Sequence, residues 1–278
     1  MRAIDLRHMG EEKVIGCWEL DGILVDPGPQ STEEALLEAL GDTEPTAILL
    51  THIHFDHAGV TGALVRRWPD LPVYVHERGA PHMAAPERLV ASAARLHGGE
   101  EGLARMWGEV VPVPERNIQV LAGGETVLDA FRVEYTPGHA SHHVSYLHQP
   151  SGVAFVGDVA GVRIPPCDYV MAPTPPPDVD VEAWDRSLDI VAGWEPEALA
   201  LTHFGRVDDV AAHVAAMHER LHEVVGLAAQ HGRDAFVAGV VERIERNAGD
   251  VAERYTQIAP PDQIYLGARR YLDKRATA

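Results

Sequence analysis

Thr51-His52-Ile53-His54-Phe55-Asp56-His57-Ala58-Gly59 places three imidazoles and one carboxylate within the six residues from His52 to His57. The run follows Ala47-Ile48-Leu49-Leu50, an apolar stretch that reads as a short buried strand over 46–50. His52 and His54 are two residues apart, so an extended backbone projects both to one side. Asp56 and His57 come where the chain turns into a helical pattern over 58–67. One strand end can thus offer two imidazoles to one metal ion and a carboxylate plus an imidazole to a second. Neutral imidazole with carboxylate suits zinc first, and also iron or manganese.

Further donors come from other strand ends. His139 ends Thr136-Pro137-Gly138-His139, just after the strand-like Phe131–Tyr135. Asp158 ends Val153-Ala154-Phe155-Val156-Gly157-Asp158, and His203 follows the apolar Leu199-Ala200-Leu201. Groups at the tips of strands are held more precisely than groups on free loops.

These motifs resemble those of the metallo-β-lactamase superfamily of metallohydrolases. The matching elements are Asp26-Pro27-Gly28, the His-x-His-x-Asp-His run at 52–57, Pro137-Gly138-His139, Gly157-Asp158 and Thr202-His203, in the family's order. The resemblance implies an α/β fold, a four-layer αββα sandwich with a helical insertion and a helical C-terminal extension. It also implies two divalent metal ions. His52, His54 and His139 would form one site, Asp56, His57 and His203 the other, and Asp158 would bridge. All seven positions of the two-metal pattern are present. Di-iron flavoproteins of the superfamily carry glutamate where His54 stands, and several secreted β-lactamases use a cysteine ligand. Neither variant occurs here.

Composition bounds the reading. The chain has 278 residues, 46% of them hydrophobic and 23% charged, as in an ordinary globule, and the ligand order argues for a single domain over 1–278. Its formal charge of −19 repels polyanions and weighs against nucleic acid as a partner. No apolar run has the length of a membrane span or of a signal-peptide core. Only Cys17 and Cys167 are present, so no disulfide framework is implied, and the cytoplasm is the expected compartment. A small-molecule substrate is expected as the partner; self-association is left open.

Along the chain, residues 13–26 read as two strands around Asp21-Gly22, a hairpin turn. Ser31-Thr32-Glu33-Glu34 reads as a capping box opening a helix through Leu40. Residues 79–108 carry a helical pattern that starts at Pro86-Glu87 and breaks at His97-Gly98-Gly99. Met83–Trp107 is either a lid over the substrate or a hairpin packed on the outer helices. Residues 117–156 are strand-rich, with turns at Gly123-Gly124 and Ser151-Gly152. Asp180 caps a helix over 184–194, Glu197–Leu201 is the last core strand, and 206–278 is mostly helical. His213, His218 and His222 read as a solvated face or as satisfied side chains of that helical end rather than a further metal site.

The chemistry implied is hydrolysis by a hydroxide bridging two metal ions about 3.5–4 Å apart, with bound water ionising near a pH of about 7. Asp56 would orient the nucleophile. The bond cleaved is a small-molecule thioester, ester or lactone; a mononuclear iron persulfide dioxygenase and a phosphodiesterase are the alternatives. Lactonases of the superfamily carry a tyrosine where Gly161 stands, although Tyr169 could reach in from the proline-rich loop. Glyoxalase-II-like thioesterases bind glutathione partly through basic residues after the bridging aspartate; Arg163 is nearby, but the usual sequence there is absent. One of His142 and His143 is a candidate support behind the metal ligands.

Overall fold

Three-residue apolar runs become short buried strands in the computed structural model, which describes residues 1–96 and 98–277. His97, read as part of a helix break, lies outside the described residues. The chain forms two compact units, Met1–Glu125 and Thr126–Ala278.

The first unit holds six strands in sequential order, β1 (Arg2–Asp5), β2 (Gly16–Leu20), β3 (Ile23–Val25), β4 (Ala47–Leu49), β5 (Val73–His76) and β6 (Ile118–Leu121). β1 to β3 pair antiparallel and β3 to β6 parallel. The β2–β3 link is Asp21-Gly22, with φ of 50° and 85°, the double left-handed turn whose twist suits a hairpin. Each parallel step needs a crossover. These are α1 (Glu33–Leu40), then α2 (Phe55–Ala58) with α3 (Thr61–Arg67), then α4 (Ala80–Ala84), α5 (Glu87–Ala94) and α6 (Glu100–Trp107). Ala47, Ile48 and Leu49 of β4 are all buried, as a strand with parallel neighbours on both sides requires. The histidine run therefore starts at the C-terminal end of an interior parallel strand, where open α/β sheets place their ligands.

The expected capping box is not made. A 3-10 turn at Gln30–Thr32 precedes α1, whose N-terminus has no side-chain cap. Ser31 Oγ donates to the Met106 carbonyl at 2.8 Å, and Thr32 Oγ1 donates to the Pro29 carbonyl at 3.0 Å. A hydrogen bond to α6 has displaced the local one.

The α5–α6 hairpin turns Ala94 and Leu103 onto Phe55 of α2, with Leu89, Val90 and Trp107 alongside. Its apolar side thus covers the short helix that carries Asp56 and His57. Leu103→Ala is expected to destabilise the fold by about 2 kcal/mol, the low end for such truncations, because its half-exposed neighbours can collapse into the gap. Chemical denaturation measures it; an unchanged midpoint would show that the hairpin contributes nothing to the core.

The second unit holds β7 (Thr126–Val127), β8 (Phe131–Tyr135), β9 (Val144–His148), β10 (Val153–Phe155), β11 (Ala198–Leu201) and β12 (Gly205–Val207), again in sequential order. Only β10 and β11 pair parallel, and their crossover is α7 (Val181–Gly193). Asp180 caps α7 as expected, accepting from the Ala183 amide at 2.9 Å, a contact worth about 1 kcal/mol. The expectation that 197–201 is the last strand needs correction. β12 folds back on β11 with Leu201 opposite Gly205 and Leu199 opposite Val207. Gly-Arg-Val carries too little apolar pattern to be read as a strand alone. Thr202, His203 and Phe204 form the tip of this hairpin.

Four helices complete the unit, α8 (Val210–Gln230), α9 (Arg233–Ala248), α10 (Ala252–Ile258) and α11 (Pro261–Ala276). Two cores support it. One gathers Trp184, Leu188, Met217, Leu221 and Tyr271; the other gathers Phe236, Ile244, Tyr255 and Ile264. Among the described residues no helix is long and apolar enough to cross a membrane.

Candidate functional site

His54 sits in extended backbone immediately before α2, so Asp56 and His57 fall in the helix's first turn while His52 remains on the strand extension. The expected projection of His52 and His54 to one side holds: His52 Nε2 and His54 Nδ1 are 2.9 Å apart. The His52 and His57 rings lie 4.0 Å apart between centroids, and His57 Nε2 is 3.7 Å from Asp56 Oδ2. His52 and His57 are fully buried, whereas the Asp56 side chain keeps an exposure of 19%.

Asp26, quoted above only as part of a turn motif, is the hub behind these groups. It is fully buried. Its Oδ1 accepts from the Thr51 amide at 2.8 Å, and its Oδ2 accepts from Thr51 Oγ1 at 2.7 Å and from His57 Nδ1 at 2.8 Å. An ionised carboxylate only accepts. The His57 proton is therefore on Nδ1, which leaves Nε2 as the nitrogen with a lone pair. Thr51 likewise spends its hydroxyl proton on Asp26, so at the 3.0 Å contact with His52 Nδ1 it is the acceptor. The His52 proton is then also on Nδ1 and its lone pair on Nε2. One carboxylate fixes the tautomer of two imidazoles.

In the second unit, His139 Nδ1 donates to the Pro173 carbonyl at 3.0 Å. A carbonyl only accepts, so this ring too carries its lone pair on Nε2. Gly138 lies directly under α7: with φ of 134°, an added Cβ would stand 2.4 Å from Trp184 Cα. Ser187 Oγ donates to the Pro137 carbonyl at 2.6 Å, and Trp184 meets the His139 ring edge-on at 5.4 Å. Asp158 is buried in the 3-10 turn Gly157–Ala160. Its Oδ2 lies 3.3 Å from His139 Nε2 and its Oδ1 lies 3.5 Å from His203 Nε2.

These separations suit a shared ion. Two donors each about 2.1 Å from one tetrahedral metal lie roughly 3.4 Å from each other, longer than a good hydrogen bond. Within each unit the expected donors lie together, His52, His54, Asp56 and His57 in the first and His139, Asp158 and His203 in the second. Imidazoles and carboxylates of this kind are able to hold a divalent metal ion, and His52, His57 and His139 present Nε2 for it.

Of the other sequence candidates, one packs behind a site residue. His143 is buried beside Thr136, Nδ1 to Oγ1 at 3.0 Å, with its ring edge-on to His139 at 6.3 Å. His142 is also buried. The Arg163 guanidinium pairs with Asp168. Tyr169 packs against the Tyr255 ring at 5.5 Å, and burial raises its pKa. His213 Nε2 bonds the Ala160 carbonyl, and His218 and His222 both meet Asp185, as satisfied side chains do. The thiols of Cys17 and Cys167 are free of disulfides. Sequence reasoning missed the Asp26 and Thr51 relay and the Pro173 carbonyl. The Asp-Pro-Gly turn was the available signal for the first; nothing in the sequence marked the second.

Residues 19–203 match the sequence profile described as the metallo-beta-lactamase superfamily. The chain belongs to that superfamily. Probable metallo-hydrolase YflN of Bacillus subtilis (strain 168) is 30% identical over 208 residues, 65% of this chain and 74% of that protein. Hydroxyacylglutathione hydrolase of Xylella fastidiosa (strain M12) is 34% identical over 137 residues, 49% of this chain but only 40% of that protein. The crystal structure of the metallo-beta-lactamase superfamily protein ST1585 from Sulfolobus tokodaii superposes with a TM-score of 0.67, covering 94% of this chain and 93% of that one at 24% identity. That likeness establishes the metallo-β-lactamase fold, here two mixed sheets with helices and a helical C-terminal extension.

Proposed function

We propose that this superfamily member is a dinuclear metallohydrolase of small acyl substrates, thioesters first, then esters and lactones. The observation that carries the reading is the tautomer control at His52, His57 and His139. Each has an acceptor-only partner, direct or relayed, on Nδ1 and turns Nε2 toward other His or Asp donors. Such wiring has little use in a structural histidine cluster and is what metal ligands need. His52, His54 and His139 would hold one ion, Asp56, His57 and His203 the second, and Asp158 both. When bound, the ions supply acidified water and polarise the acyl oxygen. The chain's own contribution is to fix the imidazole tautomers through Asp26 and to keep one edge of Asp56 open, where that carboxylate can orient the attacking water and take its proton. The hydroxyacylglutathione hydrolase relatives support a thioester ahead of the other acyl bonds. The charge of −19 supports a small molecule rather than nucleic acid as the partner. Free thiols fit the cytoplasm as the compartment.

Metal analysis of protein purified without added metal, followed by thioester, ester, lactone, phosphodiester and β-lactam substrates, tests the proposal. Two divalent ions per chain with thioester turnover is the expected result; one iron per chain with oxygen uptake on a persulfide refutes it. His54→Ala is expected to lower both metal content and turnover, the latter by about 100-fold or more, since loss of supporting groups alone costs roughly 10–100-fold. Unchanged stoichiometry in that variant removes His54 from the ligand set.

A further inference from the structure

The superfamily match ends at residue 203, and α8–α11 follow it. We propose that these C-terminal helices are a positioning scaffold for His139, Asp158 and His203, one polar contact for each, with the Tyr255 hydroxyl as the central contact. The inference rests on the reading of those three residues as metal ligands.

Asp158 is reached through α8. His213, buried, donates Nε2–H to the Ala160 carbonyl at 2.8 Å, within the turn that carries Asp158. Trp184 of α7 donates to the adjacent Val159 carbonyl at 2.7 Å, so two successive carbonyls of the turn are pinned. The backbone of Asp158 has little room to rotate.

His203 is reached through α10. The Tyr255 hydroxyl accepts from the Ile164 amide at 2.9 Å and donates to the Tyr169 carbonyl at 2.7 Å. It thereby ties both limbs of the 162–171 loop, which a Val162–Met171 bridge closes. Burial raises the Tyr255 pKa, which keeps the hydroxyl protonated and able to donate. The neighbouring Arg163 amide donates to the His203 carbonyl at 2.7 Å, and the Phe204 amide donates to the Arg163 carbonyl at 3.2 Å. The residue beside Tyr255's partner is thus paired with the His203 backbone.

His139 is reached through α11. Its Nδ1 partner is the Pro173 carbonyl. The next residue, Thr174, is buried and donates Oγ1–H to the Ile264 carbonyl at 3.0 Å. Gly267 lets α11 lie against this segment, since a Cβ there would stand 2.0 Å from the Thr174 carbonyl oxygen. Apolar packing of α8–α11 would need none of these contacts.

Tyr255→Phe keeps the ring and removes both hydroxyl bonds. Zinc affinity by chelator competition and the visible spectrum of the cobalt(II)-loaded chain are the readouts. The expected result is a roughly 10–100-fold weaker second zinc ion and a shifted cobalt spectrum, with the far-ultraviolet circular dichroism of the wild type. Tyr271→Phe is the control. Its hydroxyl bonds Glu182 at 2.8 Å, away from the three ligand segments, so zinc affinity should stay within about twofold of the wild type, below the effect of an outer-shell loss. Thr174→Val, close in volume, tests the same claim at His139 and stands in should Tyr255→Phe not fold. Wild-type zinc affinity and cobalt spectrum in Tyr255→Phe, or in Thr174→Val, overturn the scaffold, as does an equal loss in Tyr271→Phe. Wild-type chain that takes up no stoichiometric zinc or cobalt brings down the ligand assignment itself, a separate result from a variant that binds as the wild type does.

Discussion

Replacing Asp158 by alanine is expected to leave a folded chain whose weaker metal ion binds about 10²–10⁴-fold less tightly and whose acyl hydrolysis falls by a similar factor. The size follows from the position of the carboxylate. Asp158 is buried, and its two oxygens serve different imidazoles, Oδ2 at 3.3 Å from His139 and Oδ1 at 3.5 Å from His203. In the proposed assignment those imidazoles belong to different ions, so one substitution removes a donor and half a negative charge from each. Removing one partner of a buried charged pair costs about 3–5 kcal/mol, and each 1.4 kcal/mol is about tenfold in affinity. The fold should survive because the turn is held by its carbonyls at Val159 and Ala160, which the substitution leaves in place. Asp158→Asn keeps the volume and loses the charge; it should retain the fold equally and recover little of the affinity. Chelator competition with metal counting decides the matter. Two ions per chain at wild-type affinity in the alanine variant would show that Asp158 bridges nothing.

The proposed donors His52 and Asp158 stood out in the sequence because each follows an apolar run long enough only for a short buried strand. Ala47–Leu49 before His52 and Val153–Phe155 before Asp158 fold as such strands. The Asp21-Gly22 hairpin and the Asp180 cap were legible for a similar reason, since both depend on contacts within a few residues. What could not be read depends on residues far apart in the chain. Ser31 gave up its cap for a carbonyl 75 positions away. β12 exists because β11 offers it a pairing edge, and its own three residues carry almost no pattern. Asp26 stands 31 positions before His57, and only the folded β3–β4 pair brings its carboxylate to Thr51 and the imidazole. The contacts of α8–α11 on the ligand segments lie further out still, such as the 91 positions between Ile164 and Tyr255.

Asp26→Asn should cost a further roughly 10–100-fold in metal affinity without touching a single proposed ligand. Asparagine is the informative replacement, because Asp26 has a φ of 51° and asparagine tolerates the left-handed region better than alanine does. Its side-chain oxygen can still accept from the Thr51 amide, the bond that Asp26 Oδ1 makes at 2.8 Å. The amide nitrogen then takes the place of Oδ2 and presents hydrogens where the carboxylate accepted from Thr51 Oγ1 and His57 Nδ1. His57 must answer by moving its proton to Nε2, or leave two donors facing each other in a buried site, at about 1–3 kcal/mol for each unsatisfied group. Thr51 loses its acceptor, so its proton turns toward His52 Nδ1 and drives that tautomer over as well. Both imidazoles then carry hydrogen on the nitrogen that the proposed ions need. For zinc to bind at Nε2, each neutral imidazole must carry its hydrogen back to Nδ1, against the amide and hydroxyl donors that now face it, so the variant loses affinity without releasing extra protons. Zinc affinity by chelator competition, compared between the wild type and Asp26→Asn, reads this loss. Wild-type zinc affinity in Asp26→Asn would mean that Asp26 does not set the tautomers.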